Sequence, residues 1–327
     1  MKAIVVEEPG APEVLRIKEI PRPEPRPGWV LIRVKAFGLN RAELFTRQGH
    51  SPGVAFPRVI GIECVGEAEA APGGEVAPGQ RVAAVMGGMG RAFNGSYAQY
   101  TCIPASQVIP LTTDLAWDVL GAIPEMYLTV WGSLTEGLEA QAGQSLLIRG
   151  GTSSIGMATT PIAKAMGLTV AATTRRPKRA ALLHERGADH VVIDDGAIAE
   201  RVRAIFPGGA DRVLELVGTR TLLDSLKAAA PRGIVCMTGI LGGAWMLEHF
   251  EPFEAIPSSV KLTTFQSETL NILKGSKALQ AYVDGVAAGR HHVRIDRVFR
   301  FDEIVEAHRY METNRATGKL VVVVDGA

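Results

Sequence analysis

Cysteine is scarce. Cys64, Cys102 and Cys236 are the three in 327 residues, far apart and in no CxxC spacing. That excludes a disulfide framework or a four-cysteine zinc lobe and points to a reducing compartment. Net charge is nearly absent as well: 35 Lys and Arg stand against 34 Asp and Glu, a formal +1. Such a balance supplies no general field for nucleic acid or an anionic membrane, and the few aromatics (6 %) are not interleaved with a basic stripe. No apolar run approaches the roughly 18 residues that span a bilayer. The opening MKAIVVEEPG passes from a short apolar run into two glutamates, so no signal peptide is expected. A soluble, cytoplasmic protein is the expectation, with neither membrane nor nucleic acid as a partner. What is present is a globular composition, 46 % hydrophobic and 21 % charged, with 36 Gly and 19 Pro in no repeat period. The length exceeds one comfortable core, so two domains are expected.

The chain changes grammar near Thr113. Before it, β-rich runs at Lys2–Val6, Val30–Phe37, Arg81–Val85 and Ala98–Ile103 are separated by punctuators such as PRPEPRPGW and APGGEVAPGQ. After it, short β-branched runs at Leu146–Arg149, Thr169–Thr173, His190–Ile193, Arg212–Leu216 and Gly233–Met237 alternate with helical stretches at Ser154–Met166, Pro177–Arg186, Ala197–Phe206 and Thr219–Ala229. That alternation predicts an α/β domain with a doubly wound parallel sheet. Helices are expected near Ser276–Ala288 and Phe301–Asn314. The closing strand Lys319–Val324 ends in an apolar run that needs a sheet, and it reads as returning to the first domain.

The first strand–helix turn of the second domain runs from Leu146-Leu147-Ile148-Arg149 through Gly150-Gly151-Thr152-Ser153-Ser154-Ile155-Gly156 into a helix. Small residues let backbone approach a pyrophosphate, and a helix N-terminus offers it free N–H groups and the positive end of the dipole. Gly156 is the position where helix packs on strand. Hydroxyls of Thr152, Ser153 and Ser154 can add hydrogen bonds. A plain Gly/Ser turn is the bland alternative; the place of this one at the head of a run of βα repeats favours a dinucleotide. At the end of the next strand an NAD enzyme places Asp or Glu for the ribose 2′-hydroxyl. Here stand Thr174-Arg175-Arg176-Pro177-Lys178-Arg179. Guanidinium groups bind a 2′-phosphate, and cations at a helix start oppose its dipole, so local stability does not explain them. NADPH is the expected cofactor.

Several motifs, in order, resemble the medium-chain dehydrogenase/reductase superfamily, and within it the zinc-independent quinone oxidoreductase (zeta-crystallin-like) branch. They are Pro27-Gly28-Trp29-Val30, Gly38-Leu39-Asn40-Arg41-Ala42-Glu43, Gly61-Ile62-Glu63-Cys64-Val65-Gly66-Glu67, Gly79-Gln80-Arg81-Val82, Gly95-Ser96-Tyr97-Ala98-Gln99-Tyr100, Tyr127-Leu128-Thr129-Val130-Trp131, the glycine loop, and Thr317-Gly318-Lys319-Leu320-Val321. The resemblance covers nearly the whole chain. It implies a GroES-like, mostly-β catalytic domain (1–121 and 268–327) and a Rossmann domain (122–267). Zinc enzymes of the superfamily have Cys where Asn40 stands and a His before Glu where Ile62-Glu63 stand. Asn and Ile supply neither ligand. The histidines (His50, His184, His190, His249, His291, His292, His308) are scattered, and no catalytic zinc is expected.

The same resemblance places Asn40 and Phe45 beside nicotinamide and substrate, with Ile62 and Tyr127 as further pocket candidates and no residue assigned as catalytic. It places Thr129, Val217, Thr219, Thr238, Gly239, Ile240, Leu241, Phe265, Gln266, Ser267 and Arg315 along the cofactor, beside Gly151–Gly156, Thr174, Arg175, Arg176 and Lys178. Phe45 fits a core position as well as a ring stack, and Gly239 fits a simple turn. Two departures bear on substrate: many quinone reductases of this kind have Tyr at Phe45 and paired glycines at Ser153-Ser154. A hydroquinone anion is weakly basic, so water can complete its protonation. A ketone would require a metal or strong donor. Glu63 reads as structural, holding backbone or Arg41, and Arg47 as facing a polar substrate or solvent. A quinone or similar conjugated carbonyl is the expected substrate. The alternatives are double-bond reduction in an alkenal or enoyl thioester, and a crystallin-like or RNA-binding protein that retains NADPH with little turnover. Ser258–Phe265 reads as the last strand of the sheet, whose exposed edge would build a homodimer.

Overall fold

Glycine- and proline-rich punctuation divides the first third of the chain into strands joined by turns. The computed structural model, which describes residues 1–270 and 272–324, shows them. The strands are β1 (Lys2–Val6), β2 (Arg16–Glu19), β3 (Trp29–Gly38), β4 (Arg58–Val59), β5 (Glu63–Ala70), β6 (Arg81–Val85), β7 (Tyr100–Pro104) and β8 (Val108–Pro110). Helices α1 (Arg41–Arg47), α2 (Trp117–Gly121) and α3 (Pro124–Gly132) follow β3 and β8. Two compact units result: Met1–Leu128 with the chain from Ser267 onward, and Thr129–Gln266.

The second unit alternates strand and helix: β9 (Ser145–Arg149), α4 (Ser154–Ala165), β10 (Thr169–Thr174), α5 (Ala180–Glu185), β11 (His190–Ile193), α6 (Ala199–Ile205), β12 (Ala210–Glu215), α7 (Thr219–Ala228), β13 (Ala229–Met237), α8 (Pro252–Ala255) and β14 (Lys261–Thr264). All ladders are parallel, in the order β11-β10-β9-β12-β13-β14. This is the dinucleotide-binding 3-2-1-4-5-6 arrangement, with its switch point between β9 and β12. Central strands are apolar because both faces are covered: Leu147, Ala171, Val213 and Val235 lie in one buried cluster with Leu222 and Leu226 of α7. The expected strand Ser258–Phe265 is shorter in the structure, and β14 is the terminal strand of the sheet.

The chain then forms α9 (Ile272–Ala287), β15 (Ile295–Arg300), α10 (Ile304–Glu312) and β16 (Lys319–Val323). β16 pairs antiparallel with β3, so its apolar run is buried in the first unit's sheet. That sheet runs β15-β16-β3-β5-β6-β8, with β7 also on β3. Phe37 stacks on Tyr97 at 4.5 Å in its core. Among the described residues no helix is long and apolar enough to cross a membrane.

Candidate cofactor and substrate site

In the second unit, the residues expected to line a dinucleotide lie at the carboxyl ends of strands, save Thr129, which is on α3. The loop after β9 is possible only with glycine. Gly150 has φ +94°, and a Cβ on Gly151 would sit 3.0 Å from both Ala172 Cβ and Thr173 O. A Cβ on Gly156 would come within 2.5 Å of Gly150 O and 2.7 Å of Gly151 Cα, so the first turn of α4 lies directly on the loop. Ser153 is the N-cap of α4: its Oγ accepts from Gly156 N–H (3.1 Å) and donates to Gly150 O (2.8 Å). That hydroxyl is therefore spent on the loop rather than on a ligand. Thr152, Ser154 and Ile155 are half-exposed on its rim.

Neighbouring turns close on this loop. Leu241 donates its N–H to Leu216 O and Gly242 to Val217 O. A Cβ on Gly239 would meet Leu216 O at 2.5 Å, so this glycine is a close approach and not merely a turn. Ile240 lies 3.2 Å from the Cβ position of Gly218. Thr219 donates its hydroxyl to Ala244 O, and Thr238 shares a 2.9 Å bond with Ser133. Thr129 is buried, with Ser133 Oγ donating to its carbonyl. Phe265 is buried against Gly132, and Gln266 is exposed.

At the end of β10 the Thr174 hydroxyl accepts Arg176 N–H at 3.1 Å, turning the chain outward. Arg175, Arg176 and Lys178 are exposed, and none of them enters an ion pair among the described residues. The acid that follows the neighbouring strand β11, Asp194, is already taken. Arg149, wholly buried, forks onto it through Nε (2.9 Å) and Nη2 (3.0 Å) and reaches Asp224 with Nη1 at 2.7 Å. Burial pushes the Asp194 carboxyl up, but the guanidinium outweighs it and the group ends below its ordinary range. Glu215, at the end of β12, accepts N–H groups of Val217 and Gly218 and hydroxyls of Thr221 and Ser225. Its burial nonetheless raises its carboxyl above the ordinary range. Sequence reasoning missed this buried scaffold. The available signal was a charged residue closing an otherwise apolar strand, in Leu147-Ile148-Arg149 and Val213-Leu214-Glu215.

In the first unit, Asn40 caps α1 and sits within a second buried charge cluster. Glu63 Oε1 accepts Lys319 Nζ at 2.7 Å and Asn40 Nδ2 at 2.9 Å, and Glu63 Oε2 accepts Glu125 N–H at 2.9 Å. Lys319 Nζ also donates to Asn40 Oδ1 at 2.5 Å. Glu43 accepts Asn40 N–H (2.8 Å) and Ile62 N–H (3.2 Å). Burial pushes Glu43 up to about 7, against the pull of Lys319 and with the help of Glu63. Gly38 makes the cluster possible, because a Cβ there would overlap both Lys319 Cε and Glu63 Oε1. Ile62 is buried; Phe45 is half-buried and packs on the core.

Tyr127 stacks on Tyr282 at 4.2 Å, and burial pushes its phenol up to about 12, a packing residue and a poor acid. Ser267, also in this unit, donates to Glu125 at 2.6 Å, and Arg315 is exposed beside Tyr310. Two expectations are corrected. Glu63 holds backbone as expected, accepting Glu125 N–H, but its charged partner is Lys319 and not Arg41, whose guanidinium bonds Asn314. Arg47 faces neither substrate nor solvent: it is fully buried and ion-paired with Glu312. For both arginines, Arg41 and Arg47, α10 and the segment after it supply the partner, from more than 260 residues away in the chain.

Residues 26–113 match the alcohol dehydrogenase GroES-like domain, and residues 186–322 match the zinc-binding dehydrogenase family. The quinone oxidoreductase of Lama guanicoe is 28 % identical over 99 % of this chain and 98 % of its own. A 2-haloacrylate reductase of a Burkholderia species is 27 % identical over 98 % of each. A mycobacterial protein solved in complex with NADPH superposes with a TM-score of 0.86 at 27 % identity, over 99 % of each chain.

Proposed function

The chain belongs to the medium-chain dehydrogenase/reductase superfamily and is an oxidoreductase of its quinone oxidoreductase branch, and from that premise we propose an NADPH-dependent, zinc-independent transfer of hydride to a quinone or similar conjugated carbonyl. The observation that carries the cofactor choice is the end of β10. Exposed Arg175, Arg176 and Lys178 follow Thr174 where a carboxylate would select the 2′-hydroxyl, and Asp194 is committed to Arg149. The NADPH complex of the mycobacterial relative supports the same choice. The glycine loop fits a pyrophosphate, since Gly151 and Gly156 leave backbone where side chains would otherwise stand.

The first unit does not fit zinc. Asn40 and Ile62 offer no thiolate or imidazole, and the Lys319 ammonium already lies on Asn40 Oδ1 and Glu63 Oε1, where it would repel a dication. When bound, a reduced nicotinamide supplies a hydride. The residues then have to hold the acceptor, exclude water and tolerate an anion on its oxygen. No described group there is a strong acid: Tyr127 is held neutral, and Glu43 is enclosed by backbone N–H groups. The hydroquinone or enolate oxygen therefore takes its proton from water, which favours conjugated carbonyls over simple ketones. Reduction of an activated carbon–carbon double bond is a second reading, favoured by the 2-haloacrylate reductase relative.

Nicotinamide oxidation with NADPH and NADH, in EDTA, against a para-quinone, an ortho-quinone, an alkenal, an enoyl thioester and a haloacrylate tests both readings. Fast NADPH-specific quinone turnover is expected. Activity confined to the alkenal, thioester or haloacrylate would replace the first reading with the second. For assembly, β14 ends its sheet, and Trp245, Met246 and Phe253 are exposed on the segment before it, which supports a homodimer through that edge. Light scattering that finds a monomer at micromolar concentration would reject it.

A further inference from the structure

A lysine opens the otherwise apolar strand β16, directly after Thr317 and Gly318. Lys319 ends in one of the most enclosed charge contacts of the first unit, 2 % exposed and bonded to Asn40 and Glu63. These partners determine how the Asn40 amide is turned. An ammonium only donates and a carboxylate only accepts, so Oδ1 must face Lys319 and Nδ2 must face Glu63. One Nδ2 hydrogen is firmly held by Glu63 at 2.9 Å. The other has only 3.4 Å contacts, to Gly38 O and Glu43 Oε1, beyond the range of a good hydrogen bond. Asn40 itself is half-exposed, unlike Lys319, Glu43 and Glu63. A cation on an amide oxygen draws electron density from the nitrogen and makes its hydrogens better donors, and a water-poor surrounding strengthens the effect.

We propose that Lys319 is a positioning residue for the reaction: held by Glu63 across the gap that Gly38 leaves open, its ammonium fixes and polarises the Asn40 amide, whose weakly engaged N–H donates to the acceptor's carbonyl oxygen. The inference rests on the carbonyl acceptor proposed above. It assigns to an internal ammonium, acting through Asn40, the stabilisation of oxygen charge that zinc supplies elsewhere in the superfamily. The charge gathers on that oxygen as hydride arrives and is discharged by a proton from water.

The test uses Lys319→Met, Asn40→Ala, their combination, and Glu63→Gln with Lys319→Met, the last removing both charges so that no lone carboxylate is left buried. In the intact Asn40 background, Lys319→Met and the charge-free pair are each expected to lower kcat for the quinone about tenfold or more. NADPH affinity, read by fluorescence titration, is expected to stay within about twofold. In the Asn40→Ala background the Lys319 change should cost nothing further. Equal losses in both backgrounds, or a loss confined to NADPH affinity, would overturn the proposal. A second readout needs no turnover. The chain has four asparagines, Asn40, Asn94, Asn271 and Asn314, so asparagine-labelled protein shows four side-chain amide pairs by NMR. The pair that disappears in Asn40→Ala is expected downfield in the wild type and shifted upfield in Lys319→Met. An unmoved pair overturns the inference. A wild-type chain that reduces no conjugated carbonyl rejects the function reading, and the amide pair then decides the geometry alone.

Discussion

The two buried charge clusters solve the same electrostatic problem differently. In the second unit Arg149 spends its guanidinium on Asp194, Asp224, Ser225 and the carbonyls of Thr221 and Gly196, and Glu215 is closed by four donors. A planar fork matched on every side is rigid, and it stands beneath the turns after β9 and β12 that meet at the sheet's switch point. In the first unit Lys319 is a compact charge shared between one carboxylate and one amide, and the amide is half-exposed with one hydrogen loosely held. Saturation marks a scaffold. An incompletely spent group at the edge of a buried cluster marks a place where chemistry can enter.

The sharpest way to break that contrast is Arg149→Met. Stranding Asp194 and Asp224 without their cation should destabilise the fold by about 3–5 kcal/mol in denaturant unfolding. A loss below about 1 kcal/mol would mean that the network is not the scaffold described. The other cluster is expected to show itself through pH. Glu43 titrates near 7 in the folded chain against an ordinary 4.5, so the folded state holds the proton more tightly. Its contribution is whole below pH 4.5 and is lost as pH rises through about 7, on the order of 3 kcal/mol.

His308 works with the opposite sign. Burial depresses it from 6.5 to about 3, so stability is lost as pH falls through that window. Comparing melting curves of wild type and Glu43→Gln from about pH 5 to 8 isolates the first effect: the wild type should lose stability relative to the variant. A parallel pair of curves would reject the assignment. Gly38→Ala tests the space that the first cluster needs. Overpacking against Lys319 and Glu63 is expected to cost about 1–3 kcal/mol and to lower quinone turnover more than NADPH affinity. The smallest effect belongs to the second unit: Ser153→Ala removes the cap of α4 and should cost about 1 kcal/mol by thermal melting. NADPH affinity should hold better than if Ser153 were a direct phosphate ligand.

The parts of this protein legible in its sequence are those that depend on a few neighbouring residues. The turn Gly150-Gly151-Thr152-Ser153-Ser154-Ile155-Gly156 between an apolar strand and a helix, the cations after Thr174, and the run of short β-branched strands all appear in place. Partnerships of buried charges were not legible. The motifs holding Asn40, Glu63 and Lys319 were visible singly, yet neither spacing nor periodicity relates residues 40 and 319. Arg47 illustrates the same limit: a cation closing a short helix looks solvent-directed until α10 brings Glu312 onto it. Glu63 was read as a support, but its partner is delivered by β16 lying against β3.

What the sequence by itself determined is local: glycine where backbone must come close, short β-branched apolar runs where a strand is covered, and cations where no packing asks for them. Tertiary structure alone decided which charge meets which. A buried ion pair is specified by the return of distant segments to one sheet, and its strength comes from the exclusion of water that only the assembled fold provides.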